Sequence, residues 1–319
     1  MTTQKSQGRP RRRRLTAKPV PSGKHTAFVF AGGGSLGAVQ VGMLKALTAA
    51  KLMPDFVVGA SVGAINGAYF AGKPSARGVA ELEQIWLRIH QDDVFPFSVG
   101  AGVRALLGRR DYLVDPANLS KLIADSLPFK NFEEAKLPCH VVATDIYNGH
   151  DVTFSEGDAH KAVLASASIP AVFPPVQYED RYLVDGGVAN NTPISTAVAL
   201  GAKRLIVLPT GFSCSIAEPP KTVVAMALHA LNLMIMKQLV RDIELCPAKV
   251  IVVPPLCPVE VTPYDFSQTA SLISRAEAET KAWLKAGGLQ DEEIPHTLVP
   301  HHDSDDPDVP YLVGVATGI

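Results

Sequence analysis

Two short apolar segments near the start of the chain each run into a glycine-rich turn, and this pattern restricts the fold more than any other feature. Residues 26–30 are followed by Gly32-Gly33-Gly34-Ser35-Leu36-Gly37, and residues 56–58 are followed by Gly59-Ala60-Ser61-Val62-Gly63. Between them, residues 38–50 place apolar side chains at helical spacing. This strand–helix–strand–turn–helix order predicts a parallel sheet with helices on its faces. We therefore predict an α/β fold of three layers, α/β/α, with a mainly parallel central sheet.

The rest of the chain continues the same alternation of strands and helices. Apolar, β-branched segments predict strands at residues 139–145, 182–184, 204–208 and 250–253. Segments with apolar side chains at helical spacing predict helices at residues 76–90, 116–127, 161–168, 222–244 and 268–286. No internal repeat is evident, so one domain over residues 25–289 is the simplest organisation.

The two ends of the chain carry opposite charges. Of 319 residues, 47% are hydrophobic and the net charge is −1, yet residues 1–24 carry only basic charges and residues 290–319 only acidic ones. We predict a disordered basic tail over residues 1–24 and an acidic C-terminal segment over residues 290–319. The basic tail could contact an anionic membrane. No aromatic residue interleaves with its arginines, which disfavours a nucleic-acid partner.

Cysteine spacing and hydropathy predict a cytoplasmic protein that could lie peripherally at a membrane. The four cysteines, Cys139, Cys214, Cys246 and Cys257, show no CxxC spacing and are predicted to be reduced thiols, neither a disulfide framework nor a metal site. No apolar stretch follows the N-terminal arginines, so we predict no signal peptide. The longest apolar segment, residues 223–236, is too short to span a bilayer and is predicted to be a buried helix.

Ser61 is the candidate nucleophile because it occupies the turn between a strand and a helix. Such a turn presents a serine hydroxyl at the end of the strand, and it requires a strained backbone. Gly59 and Gly63, two residues to either side, permit that strain and a close approach of helix and strand. The alternative is a glycine-rich turn with an unreactive serine.

The first glycine block has two interpretations. Gly32, Gly34 and Gly37 fit the G-x-G-x-x-G pattern of dinucleotide-binding turns, but that fold requires a carboxylate at the end of the second strand, and Asp55 stands at its start. Alternatively, the backbone N–H groups of Gly32, Gly33 and Gly34 flank Ser61 and stabilise an oxyanion.

A catalytic serine also needs a proton acceptor. None of the nine histidines stands at a strand-end turn that would make it an evident partner. Asp185 follows the predicted strand 182–184 and precedes Gly186 and Gly187, so its carboxylate could accept the serine proton directly. An ordinary Asp-Gly turn and a conventional Ser-His-acid hydrolase remain alternatives.

Taken together, three blocks resemble the patatin-like phospholipase family in their order along the chain. They are the glycine block at residues 32–37, the serine block at residues 59–63 and Asp185-Gly186-Gly187. Thr144-Asp145 and residues 165–170 are also similar to bacterial members. The resemblance extends over about residues 26–286.

This resemblance implies a lipid acyl hydrolase that passes through an acyl-serine and uses no metal or cofactor. It implies that Ser61 is the nucleophile, that Asp185 is the proton acceptor, and that Gly32, Gly33 and Gly34 form the oxyanion hole. The remaining motif glycines, Gly37, Gly59, Gly63, Gly186 and Gly187, would support these residues. The substrate would be a lipid or another acyl ester.

One departure from the family pattern concerns Leu36, where the family usually has Arg or Lys. The missing cation bears on rate and head-group preference. It also keeps open a catalytically weak or inactive protein that binds a lipid or a partner on the same fold. Residues 94–107, Arg109-Arg110 and Phe173-Pro174-Pro175 are candidates for acyl access and lipid contact, or else for ordinary core packing.

Overall fold

The computed structural model describes residues 25–96, 112–211, 223–257, 259, 261–290, 295 and 298. The predicted basic tail, the stretch 97–111 with Arg109 and Arg110, and most of the acidic C-terminal segment lie outside these ranges. The predicted domain boundaries at residues 25 and 289 therefore stay predictions.

In these ranges, eight strands form one sheet with the order β5-β6-β3-β2-β1-β7-β8, and β4 pairs with β3. The strands are β1 (His25–Phe30), β2 (Phe56–Ala60), β3 (Cys139–Asp145), β4 (Asp151–Phe154), β5 (Val176–Tyr178), β6 (Arg181–Val184), β7 (Ala202–Leu208) and β8 (Lys249–Val252). In the part of the sheet with the spatial order β3-β2-β1-β7-β8, every pair of neighbouring strands is parallel. Strands β4, β5 and β6 are antiparallel to their neighbours. The mainly parallel sheet is confirmed, whereas the antiparallel strands β4 and β5 were not predicted.

Helices cover both faces of the sheet. They are α1 (Gly37–Ala49), α2 (Val62–Gly72), α3 (Ala76–Trp86), α4 (Gln91–Val94), α5 (Ala117–Ser126), α6 (Ala159–Ser166), α7 (Gly187–Asn190), α8 (Ile194–Ala199), α9 (Val223–Glu244) and α10 (Thr269–Lys285). Every residue of β2 and β3 is buried, as expected for strands covered on both sides.

The alternation of side chains along β1 divides the core into two parts. Phe28 packs into a cluster with residues of α1, α2, α3 and α10 on one face, whereas Val29 packs with residues of α8 and α9 on the other. This arrangement confirms the predicted three-layer α/β/α architecture.

The predicted helix over residues 76–90 ends early, at Trp86. The physical reason is a second helix start. His90 is the N-cap of α4, and its backbone N–H donates to Asp93 Oδ2 at 2.7 Å. This capping interaction competes with continuation of α3 and turns the chain.

Strand β6 is the element that brings the two predicted site residues together. Thr144 of β3 pairs with Asp151 of β4 on one edge and with Val184 of β6 on the other. Strand β2 pairs with the same edge of β3 as β6 does, but only up to Val142. Strand β6 therefore approaches the end of β2 from the opposite direction, and the residue after each strand faces the other.

The prediction of four reduced cysteines is wrong for Cys257, which is disulfide-bonded. Cys139 and Cys246 are free thiols, and Cys139 is buried. Because disulfides persist mainly in oxidising compartments, this bond does not support the cysteine argument for a cytoplasmic protein. Among the described helices, including α9, none combines the length and the apolar character needed to cross a bilayer.

Candidate active site

Ser61 occupies a strained turn between β2 and α2. Its φ of 53° and ψ of −129° lie in a region that residues with a side chain rarely adopt, at a cost of about 1–3 kcal/mol. The surroundings hold this conformation. The backbone N–H of Ser61 donates to Ser166 Oγ at 2.9 Å, and the Ser166 hydroxyl donates to the Val142 carbonyl at 2.6 Å. Ser166, the last residue of α6, thus links the turn to β3 and holds it in place.

Gly59 and Gly63 allow the first turn of α2 to pack directly on the sheet. A Cβ atom at Gly63 would collide with the carbonyl oxygens of Phe30 and Ala31, and one at Gly59 would collide with the backbone of Gly63. A side chain at either position would push α2 away from β1 and β2. The hydroxyl of Ser61 would move with it.

The carboxylate of Asp185 lies against the Ser61 hydroxyl. Ser61 Oγ donates to Asp185 Oδ2 at 2.6 Å although 124 residues separate the two in sequence. Both side chains are buried, with exposed fractions of 8% and 4%. Burial raises the pKa of Asp185 from 3.8 to about 6, and hydrogen bonds from Ser61 and from the Gly187 backbone oppose this rise. The carboxylate is thus a stronger base than an exposed aspartate.

The turn after β6 fixes the orientation of that carboxylate. The backbone N–H of Gly187 donates to Asp185 Oδ1 at 2.7 Å, which leaves Oδ2 for Ser61. Thr144 Oγ1 donates to the Asp185 carbonyl at 2.8 Å. A Cβ atom at Gly186 would collide with the Val142 carbonyl. Gly187 therefore orients the Asp185 carboxylate, and Gly186 lets the turn pack on β3.

The glycine loop lies beside Ser61, but its N–H groups do different things. A Cβ atom at Gly32 would lie 3.0 Å from Ser61 Cβ. The N–H of Gly32 donates to the Asn191 carbonyl at 3.0 Å. Gly32 was predicted to be an oxyanion donor, but its N–H group is already engaged. Within the described residues, the N–H groups of Gly33 and Gly34 have no hydrogen-bond partner. The candidate oxyanion hole therefore narrows to Gly33 and Gly34.

Residues 262–266 form backbone contacts with the glycine loop. This segment was not predicted from the sequence as part of the site. Ser35 N–H donates to the Pro263 carbonyl at 2.8 Å, and Ser35 Oγ donates to the Thr262 carbonyl at 3.1 Å. Gly34 has a φ of 59°, and a Cβ atom there would collide with Pro263. These backbone contacts leave no pattern in the sequence.

Leu36, at the position where the family usually has Arg or Lys, is buried in the apolar core. Its side chain is 2% exposed and packs in the same apolar cluster as Val62 and Trp86. The nearby Gly37 opens α1, where a Cβ atom would collide with Val62. The position after Ser35 is thus part of the core.

A buried polar network, also missed from sequence, joins the glycine loop to α2. Gln40 Nε2 donates to the carbonyls of Ala31 at 2.8 Å and Leu208 at 2.9 Å. Asn66 Nδ2 donates to Gln40 Oε1 at 2.9 Å and to the Gly37 carbonyl at 3.0 Å, and its Oδ1 accepts from Trp86 Nε1 at 2.9 Å. The available signal was a single side-chain amide, Gln40 or Asn66, among the apolar residues in the first half of each of two helices.

We expect Asn66→Leu to destabilise the protein by about 3–5 kcal/mol, because it removes the partner of two buried groups, the indole N–H of Trp86 and the side-chain oxygen of Gln40. Denaturant unfolding monitored by circular dichroism measures this loss. The matched control is Asn118→Leu, since Asn118 is exposed and makes only a 3.4 Å hydrogen bond to the Asp92 carbonyl. A loss from Asn66→Leu no larger than that of the control would contradict the role of the network.

An apolar channel opens beside Ser61 and passes between α2, α3 and α5. It encloses about 770 Å³ of space, with the open solvent at its entrance included. Three of the residues predicted for acyl access or lipid contact, Val94, Phe95 and Phe173, line this channel together with Ser61. The channel is also lined by Val62, Ile65, Tyr69, Leu82, Ile85, Trp86, Leu119, Ile123 and Phe266.

The alternative interpretations find less support in the geometry. Asp55 Oδ2 accepts from the Thr26 N–H at 2.7 Å, at the opposite end of β1 and β2 from the glycine loop, where it cannot hold a ribose. His140 Nδ1 is 2.6 Å from Ser155 Oγ, and its ring packs edge-on against Phe56. Three further histidines, at residues 296, 301 and 302, and the side chain of His229 are not part of the described structure. Among the described residues, no group of three or more His, Cys, Asp or Glu side chains is placed to bind a metal ion.

Comparison with known proteins gives a consistent result. A sequence model described as patatin-like phospholipase matches residues 28–198. Rat patatin-like phospholipase domain-containing protein 7 is 29% identical over 194 residues, which cover 60% of this chain and 14% of that protein. An NTE family protein of Mycobacterium tuberculosis is 32% identical over 179 residues, which cover 56% of this chain and 29% of that protein. This chain thus spans a minor part of the length of these relatives.

Among solved structures, VipD from Legionella pneumophila superposes with a TM-score of 0.45 at 14% sequence identity. The match covers 83% of this chain and 67% of that protein.

Proposed function

The chain belongs to the patatin-like phospholipase family, and on this premise we propose that it is a lipid acyl hydrolase with Ser61 as nucleophile and Asp185 as proton acceptor. One observation carries the proposal. The Ser61 hydroxyl donates to a buried carboxylate at 2.6 Å, and Ser61 lines an apolar channel. A hydroxyl in a strained turn, a base within hydrogen-bond reach and a site for an acyl chain are what ester cleavage requires.

The reaction would proceed in two steps. Ser61 Oγ attacks the acyl carbonyl as its proton passes to Asp185 Oδ2, and the N–H groups of Gly33 and Gly34 donate hydrogen bonds to the oxyanion. The C–O bond to the alcohol then breaks, and Asp185 returns the proton to the leaving oxygen. In the second step Asp185 takes a proton from a water molecule, whose oxygen attacks the acyl-serine carbonyl. The bond between the acyl carbon and Ser61 Oγ then breaks, Asp185 returns the proton to Ser61 Oγ, and the carboxylic acid is released.

The main alternative is a protein of the same fold that binds a lipid without cleaving it. The buried, uncharged Leu36 favours this alternative, since the family usually has a cation there. The channel would serve either function. Reactivity of Ser61 separates them, because a fluorophosphonate reacts readily only with an activated serine.

Fluorophosphonate labelling of the purified protein tests the proposal. We expect one label, located on Ser61 by mass spectrometry of the peptide. Because the pKa of Asp185 is raised to about 6, the base is protonated at lower pH. The labelling rate should therefore fall about tenfold per pH unit below about pH 6 and be constant above it.

Two outcomes would count against the hydrolase. Absence of labelling of folded protein at any pH would favour the lipid-binding alternative. Labelling whose rate does not change between pH 4.5 and 7.5 would remove Asp185 from the role of base. Ser168→Ala is a suitable control, since the Ser168 hydroxyl donates to the Leu164 carbonyl and does not contact Asp185 with its side chain.

A further inference from the structure

The apolar channel runs lengthwise along α2, starting at Ser61. Val62, Ile65 and Tyr69 all line it, and their spacing places them on one face of the helix. Tyr69 lies eight positions after Ser61 along the helix, which corresponds to a length of about 12 Å. The channel depth can therefore be measured along the helix that carries the nucleophile.

Contacts of the neighbouring helices identify the far end of the channel. Near Ser61, Trp86 at the end of α3 donates to Asn66. At the other end, Lys73 after α2 pairs with Glu81 at 2.6 Å. Helix α3 therefore runs back along α2, and its residue Leu82 lines the channel together with Tyr69. A Cβ atom at Gly72 would meet Pro128 and Phe129, which follow α5. Tyr69, Leu82 and Leu127 thus form the far wall.

Tyr69 is held firmly in that wall. Its side chain is 3% exposed, and the Lys73 ammonium lies 5.5 Å from the centroid of its ring. Lys73 is itself paired with Glu81 at 2.6 Å. A cation over an aromatic face is attracted by the ring quadrupole. The ring is therefore held from its outer side by a cation that is itself paired.

We propose that Tyr69 limits the acyl chain, so that the substrates are esters of medium-length acids. An extended chain advances about 1.25 Å per carbon, because its C–C bonds of about 1.5 Å meet at tetrahedral angles. A depth of about 12 Å accommodates roughly eight to ten carbons. The inference rests on the proposed hydrolase function and adds its substrate class.

A series of p-nitrophenyl esters from butyrate to hexadecanoate tests the proposal with four variants. Tyr69→Ala opens the far wall, Tyr69→Phe keeps the ring but not its hydroxyl, and Ile65→Trp blocks the channel midway. Gln84→Ala, on the exposed side of α3, is the matched control. Circular dichroism establishes that each variant is folded.

We expect the wild type to have its highest kcat/KM on octanoate or decanoate. Tyr69→Ala should raise the ratio of hexadecanoate to octanoate hydrolysis at least tenfold, and Ile65→Trp should lower the ratio of decanoate to butyrate hydrolysis at least tenfold, since each methylene in an apolar site is worth about tenfold or more. Tyr69→Phe and Gln84→Ala should keep the wild-type profile. An optimum at hexadecanoate in the wild type, or unchanged ratios in folded Ile65→Trp, would overturn the proposal.

Binding of free fatty acids distinguishes this proposal from the hydrolase function. In the Ser61→Ala background, decanoate should bind more tightly than hexadecanoate, and Tyr69→Ala should reverse that order. If the wild type cleaves no ester but this order holds, the hydrolase function fails and the channel length stands. If esters are cleaved and the order is absent, only the role of Tyr69 fails.

Discussion

Replacement of Ser61 by alanine is expected to lower ester hydrolysis by at least about 10⁴-fold, to the level left by binding and the oxyanion donors alone. The variant loses the nucleophile and the proton that Asp185 would accept at 2.6 Å. Its fold should persist, because the backbone N–H of residue 61 can still donate to Ser166. Hydrolysis of a medium-chain p-nitrophenyl ester and fluorophosphonate labelling measure the effect.

The control for this variant is Ser168→Ala, a buried serine that follows α6 and whose hydroxyl donates to the Leu164 carbonyl at 2.7 Å. It should keep activity within a few-fold of the wild type. If Ser61→Ala hydrolysed the ester as fast as this control, the nucleophile would lie elsewhere.

Asp185→Asn is expected to reduce kcat/KM by about 10⁴-fold, the magnitude typical of losing the group that handles the nucleophile's proton. The amide has nearly the same shape, but it cannot accept a proton from Ser61. The change is thus chemical, and the channel and the glycine loop should remain as they are. Ester hydrolysis at pH 7.5 measures it.

The same substitution should stabilise the protein at neutral pH. Folding raises the pKa of Asp185 from 3.8 to about 6, so between these values the folded chain holds a proton that the unfolded chain has released. Stability therefore falls as pH rises through this range, and above about pH 6 the ionised carboxylate costs roughly 3 kcal/mol. Asp185→Asn removes this cost, and its advantage should vanish near pH 4.

Asp145→Asn is the matched control for these measurements. Asp145 is also a buried carboxylate at a strand end, 8% exposed, but its Oδ1 accepts from the Tyr147 N–H and does not contact Ser61. It should keep most of the activity. Similar losses in both variants would mean that the site tolerates no carboxylate change, and the specific role of Asp185 would not hold.

Comparison of the sequence predictions with the structure shows which features have local causes. The order of strands and helices around the two glycine blocks follows from apolar periodicity and turn residues, and the parallel sheet and its three layers were predicted from it. The resemblance to the patatin-like family, read from three short blocks, is confirmed by the family match. These features lie within short segments of the chain.

Other features depend on contacts between distant segments. The N–H of Gly32 is engaged by Asn191, the segment at Pro263 supports Gly34, and Asn66 joins two helices to α3. None of these partners is signalled by spacing, because a hydrogen bond across the fold leaves no periodicity. The disulfide at Cys257 escaped prediction for the same reason.

The sequence by itself determined the strand–turn–helix frame, the strained turn at Ser61 and the strand end at Asp185, since each depends on a few adjacent residues. Only the tertiary structure decided that β6 approaches the end of β2 from the opposite direction and joins these two residues at 2.6 Å. It also decided which N–H groups of the glycine loop have no hydrogen-bond partner in the described part of the chain, and how far the channel extends along α2. Strand direction and cavity depth result from the packing of whole elements, which local patterns do not encode.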